Sequence, residues 1–142
     1  MKDLEKKIIG RLEYVDLPEF GLENIIGKID TGAYNGAIHT THVIEKEIDG
    51  KMVIEFSLLD ADHPEFKEDI YQVDKYDKRL VKNSNGESEL RYVVPTKIIL
   101  QGIEIKVKLS LSNRKNLRYP ILLGRKIIRK YFIVDVNKKL TS

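Results

Sequence analysis

The stretch from Lys97 to Leu111 constrains the fold most. Ile103, Ile105, Val107, Leu109 and Leu111 alternate with Glu104, Lys106, Lys108 and Ser110. A period of two puts the apolar set on one side of a strand and the charged set on the other. Gln101-Gly102 joins this run to Lys97-Ile98-Ile99-Leu100, which predicts a hairpin. Asp49-Gly50 predicts a second hairpin, between His42-Val43-Ile44-Glu45 and Met52-Val53-Ile54-Glu55-Phe56. Asn85-Gly86 predicts a third, between Lys78-Arg79-Leu80-Val81 and Leu90-Arg91-Tyr92-Val93-Val94. Short strands at this spacing specify an all-β fold, a closed or nearly closed barrel. One helix is expected, from Arg125 to about Tyr131, with Ile127, Ile128 and Tyr131 on one face. Phe132–Val136 reads as a final strand, and residues 60–66 as an exposed loop.

The bulk properties suit one domain spanning residues 1–142, with 42% hydrophobic residues to supply a core. No apolar run reaches the roughly 18 residues that span a bilayer, so no membrane role is expected. The start, Met1-Lys2-Asp3-Leu4-Glu5-Lys6-Lys7, lacks the apolar segment of a secretory signal, and a cytoplasmic location is the expectation. The absence of cysteine excludes disulfides, thiolate metal ligands and a cysteine nucleophile. A net charge of +3 comes from 25 basic and 22 acidic residues that are interspersed, including a lysine-rich rim near both ends. That balance points away from nucleic acid, as do Tyr14, Tyr71, Tyr76 and Tyr92, which are scattered among acids instead of interleaved with basic residues.

Chemistry enters at Asp30-Thr31-Gly32-Ala33, which follows the apolar run Asn24–Ile29. A strand there delivers an acid into a tight turn. Asp supplies a carboxylate, a short hydroxyl residue can tie the loop to its neighbour, and Gly permits close backbone approach. This is the layout of one half of an aspartic peptidase site. Pro120-Ile121-Leu122-Leu123-Gly124, followed by Arg125-Lys126-Ile127-Ile128, supplies an apolar strand that ends at Gly and runs into a short amphipathic segment.

With these elements the sequence resembles the retropepsin-like aspartic proteases. It is closest to a bacterial and archaeal branch that carries the label ATP-dependent zinc protease. The resemblance rests on Ile9-Gly10-Arg11, Leu17–Gly21, Lys28–Ala33, Ala37-Ile38-His39, Ser84-Asn85-Gly86, Arg91-Tyr92-Val93, Asn113-Arg114 and Leu122–Arg125, in order along nearly the whole chain. It implies a closed retropepsin-like barrel and an aspartic endopeptidase. Such chemistry needs two carboxylates sharing a proton. The ionised one activates water, which adds directly to the peptide carbonyl. The chain has a single Asp-Thr-Gly, so two copies would each contribute one Asp30 in a homodimer. Asp30, Thr31 and Gly32 are therefore the expected catalytic residues, with Thr31 hydrogen-bonding across the two-fold axis as in the resembled family.

The expected substrate contacts for a peptide or protein are Ala33, Asn85 and Gly86, the last two in a candidate flap at Asn83–Glu87. Leu122, Leu123 and Gly124 support the Asp30 loop by packing, and Arg125 is expected as a solvated helix-start residue or a partner for a nearby acid. Two departures stand out. Tyr34 replaces the acid usual after Asp-Thr-Gly-Ala in retroviral relatives. Tyr34-Asn35-Gly36 replaces the basic-Thr-Ser run of the closer branch. Both bear on substrate contacts, not on the acid itself. The 94 positions from Asp30 to Gly124 also require strands or loops beyond those of the minimal retroviral enzymes.

No cofactor is expected. Gly21 to Gly27-Lys28 has the wrong spacing for a phosphate-binding loop, with Ile29 where a hydroxyl should hold magnesium. For zinc there are only His39, His42 and His63, and the first two, three apart on a strand, face opposite ways. His39 is better placed as a satisfied histidine of the barrel wall. The alternative to a peptidase is a non-catalytic peptide- or protein-binding regulatory module on the same barrel, associated with an ATP-grasp ligase, since members of the resembled branch accompany such glutamate ligases. A nucleic-acid-binding barrel ranks last.

Overall fold

The computed structural model describes residues 5–82 and 85–141. Twelve strands and one helical turn follow one another. They are β1 (Lys7–Ile9), β2 (Leu12–Leu17), β3 (Leu22–Ile29), β4 (Gly36–His39), β5 (Val43–Ile48), β6 (Lys51–Phe56), β7 (Tyr71–Val73), β8 (Asp77–Lys82), β9 (Ser88–Leu100), β10 (Ile103–Ser112), β11 (Ile121–Leu123), α1 (Arg125–Ile128) and β12 (Phe132–Val134). Six strands, in the order β10-β4-β11-β3-β2-β9, close into a barrel because β9 also pairs with β10; β8 continues outward from β9. The all-β barrel with one short helix near its C-terminal end is thus the observed architecture.

The alternating run behaves as its pattern dictates. On β10, Ile105, Val107, Leu109 and Leu111 are buried and Glu104, Lys106 and Lys108 exposed. The β9–β10 and β5–β6 connections have two residues each, Gln101-Gly102 and Asp49-Gly50, all four at positive φ. That is the backbone of the mirror-image turn that matches strand twist. β8 and β9 pair from Asp77↔Val93 to Lys82↔Ser88, which gives the third hairpin. Of its turn, Asn83 and Ser84 lie outside the described residues.

Several elements differ from the sequence reading. β9 is one continuous strand of 13 residues, where the sequence reading had two segments, Leu90–Val94 and Lys97–Leu100. Pro95 falls beyond the last pairing with β8, at Val93, and before the pairing with β2, at Ile99, so on that side there is no ladder for its missing N–H to interrupt. The helix stops at Ile128, with Ile127 and Ile128 as its buried pair, and the last strand stops at Val134. β12 pairs in parallel with β1, a short strand the sequence reading missed. The residues after it run back along β2: Arg11 N donates to Lys138 O (2.8 Å) and Leu140 N to Leu12 O (2.7 Å). Residues 60–66 are not simply exposed, since Asp60, His63 and Phe66 are half-buried. Finally, His39 ends β4 while His42 precedes β5, so they do not share a strand.

A smaller sheet, β5-β6-β7, packs beside the barrel. Phe20, Phe56 and Tyr71 join it to the 3₁₀ turn Pro18–Phe20, with ring centroids 5.0 to 5.8 Å apart, and the Tyr71 hydroxyl donates to Phe20 O (2.9 Å).

Candidate functional site

The order β4-β11-β3 sets the site. β3 and β4 are consecutive in the chain but not adjacent, because β11 lies between them, parallel to β3 and antiparallel to β4. Residues 30–35 must therefore arch over the end of β11. Backbone bonds fasten the arch. Asp30 N donates to Leu123 O (2.9 Å), Arg125 N to Ala33 O (2.8 Å) and Lys126 N to Tyr34 O (3.0 Å). Gly124 passes directly beneath: a Cβ there would stand 2.6 Å from the Tyr34 carbonyl carbon and closer still to Asn35 O.

Within the arch, Asp30 is half-buried and Thr31 and Gly32 are exposed. The Gly32 amide donates to Asp30 Oδ1 (2.9 Å), which orients the carboxylate. Arg125 does not float free, and among the described residues it pairs with no acid. Its Nη1 donates to Thr31 O (2.9 Å), and its guanidinium lies 5.8 Å from the centroid of the Tyr34 ring. Arg129 approaches the same ring at 6.0 Å. Leu123 and Gly124 are buried and Leu122 is half-buried under the loop.

Arg114 is the residue whose role sequence reasoning missed. It appeared only as part of an Asn113-Arg114 match. In the structure it is 9% exposed, and its Nε donates to Tyr119 O (3.2 Å). Burial pushes its guanidinium below the usual arginine range, while the Asp30 carboxylate acts in the opposite direction, which places Arg114 in the field of Asp30. His39 anchors the Arg114 backbone: the Arg114 amide donates to His39 Nδ1 (2.7 Å). Nδ1 must then be the bare nitrogen, so Nε2 carries the proton and donates to Asp60 Oδ2 (2.9 Å). Desolvation opposes ionisation of Asp60, yet the Asp62 amide, the His39 ring and Lys115 together hold its carboxyl below the ordinary range. Both His39 nitrogens are thus committed to protein partners. Among the described residues no group of three or more His, Asp or Glu side chains stands together as a metal ion would need.

A cleft of about 1420 Å³ runs between the small sheet and the β8-β9-β10 wall, and reaches the Asp30 loop at Ala33, Tyr34 and Asn35. Arg114 also lines it, whereas Asp30 itself does not. Asn85 and Gly86, in the hairpin turn, are exposed and lie off the cleft lining; Arg79, Val81 and Glu89 on the hairpin arms line it. Nine basic side chains face this cleft against four acidic ones.

Residues 8–142 match the family model described as retropepsin-like aspartic endopeptidase RimB. The chain belongs to the RimB-like family. Among solved structures the chain is similar to a Legionella pneumophila protein of unknown function, Lpg0085, which is 28% identical, superposes with a TM-score of 0.74, and is covered over 98% of its length by 96% of this chain. Curated relatives carry the name probable alpha-L-glutamate ligase. Those from Desulfotalea psychrophila and Shewanella pealeana are each 34% identical over 94% of this chain. The chain spans about 29% of the length of these relatives.

Proposed function

We propose that this RimB-like domain is an aspartic endopeptidase whose site is assembled from two copies, each giving one Asp30, and that it hydrolyses acidic peptides. The observation that carries the reading is the fastened arch. It holds Asp30 with one oxygen on the Gly32 amide and leaves Thr31 and Gly32 exposed, as fits half of a site completed across a two-fold axis. In the dimer one Asp30 is ionised and takes a proton from water while the other, protonated, hydrogen-bonds the scissile carbonyl oxygen. Water adds to the carbonyl carbon, the Asp30 that took the water's proton gives it to the amide nitrogen, the C–N bond breaks to release the amine, and no acyl-enzyme forms. The titration belongs to the pair.

The excess of basic residues in the cleft supports an acidic substrate, and the glutamate ligase name of the relatives agrees with it. That name also favours a second reading, a non-catalytic peptide-binding module working with an ATP-grasp ligase. Solution mass and cleavage of glutamate-rich peptides by wild type and Asp30→Asn separate the two. The peptidase reading expects a dimer in both proteins and at least a ~10³-fold loss of cleavage in Asp30→Asn, the scale of removing a proton-transferring group. A monomer that binds these peptides without Asp30-dependent cleavage would instead establish the module.

A further inference from the structure

The β8-β9-β10 wall breaks a rule of sheet stability twice on the same face. Arg79 stands directly opposite Arg91, and Lys97 directly opposite Lys106. Like charges in such positions destabilise a sheet. Among the described residues Arg79, Lys97 and Lys106 have no ion-pair partner, and Arg91 has only Glu89 at 3.5 Å. All four line the cleft, as do Lys108 and Ser110. Two polar atoms on this face, Arg91 Nε and Ser110 Oγ, are buried without a hydrogen-bond partner. Buried polar groups are ordinarily satisfied, and each orphan calls for an explanation. A bound carboxylate would offset both like-charge pairs, and a small shift of the Arg91 and Ser110 side chains toward it would satisfy both orphans.

We infer that this face is a carboxylate-reading track, with Arg91, Arg79 and Ser110 holding one acidic side chain of an extended peptide and Lys97 and Lys106 another. The inference rests on the acidic-peptide reading above and adds the residues that confer it. Arg91 and Lys97 lie six positions apart on one strand, about 20 Å at strand rise. The track therefore engages a ligand of about six or seven extended residues. Arg91 contributes a planar fork suited to a carboxylate, and the lysines contribute point charges.

The test is fluorescence anisotropy with labelled, C-terminally amidated peptides of three, seven and ten glutamates, and a ten-glutamine control, binding to the full chain carrying Asp30→Asn so that cleavage does not intervene. Affinity is expected to rise up to about seven glutamates and then level, with the glutamine peptide at least tenfold weaker. Adding Arg91→Gln or Arg79→Gln, both at solvent-accessible side chains, is expected to cost about tenfold on glutamate and nothing on glutamine, with Arg91→Lys intermediate. Equal affinity for the two compositions, or glutamate binding unchanged in both arginine variants, would overturn the track. If wild type binds in this manner but does not cleave, the peptidase reading fails and the track stands.

Discussion

At the scale of single residues, the site depends on contacts that leave no room for substitution. Gly124 has the backbone of Tyr34 and Asn35 against the place a Cβ would occupy. Gly124→Ala must push the arch away from β11, and overpacking of this kind costs about 1–3 kcal/mol. Chemical denaturation should show that loss, and peptide cleavage should fall further than stability because Asp30 moves with the arch. Asp60 tests the support behind Arg114. Its folded pKa lies below its unfolded value of about 3.9, so its stabilisation is complete above that pH and disappears as pH falls through the folded value. Asp60→Asn should therefore lower the melting temperature at pH 7 by a few degrees, and the gap from wild type should close as pH falls through the folded value. A gap that persisted in acid would show that the carboxylate's ionisation is not what His39 uses. Gly124 was read as packing support of the Asp30 loop, without the Tyr34 and Asn35 backbone that it touches, and Asp60 only as part of an exposed loop, because the contacts that define them span 89 and 21 positions in sequence.

Among elements, the strands and hairpins were legible because their signals are local. Alternation fixes which side of β10 is buried, and a two-residue Asp-Gly or Gln-Gly loop fixes a hairpin without reference to the rest of the chain. Strand β1, its parallel pairing with β12, and strand β7 were not legible, since a three-residue strand carries no period. The closure that brings the segments beside β1 and β12 together involves Glu13, a fully buried acid on β2. Its carboxylate accepts from Gly10 N (2.7 Å), Thr141 N (2.9 Å) and the Thr141 hydroxyl (2.5 Å). Glu13→Ala would leave the buried Gly10 amide and the partly buried Thr141 amide without their acceptor, and hydrogen bonds to charged groups are each worth about 1.5–3 kcal/mol. A loss of about 2–4 kcal/mol in denaturant unfolding is expected. Faster hydrogen exchange should accompany it at Arg11 and Leu140, whose amides bond across this seam. Unchanged exchange there would mean that the tail is held by its backbone ladder alone.

For the molecule as a whole, the proposed chemistry requires two acids, of which each copy would supply one. The single Asp-Thr-Gly of the sequence supports that reading, as does the arch that presents Asp30 at the end of β3. The most direct test is a mixing experiment. Wild type and Asp30→Asn are combined at fixed total concentration, allowed to exchange subunits, and assayed on a glutamate-rich peptide. If each site takes one Asp30 from each of two copies, mixed dimers are inactive and activity follows the square of the wild-type fraction, about one quarter at equal parts. A linear response, with about half the activity remaining, would mean that one chain carries a complete site and would contradict the paired-Asp30 account.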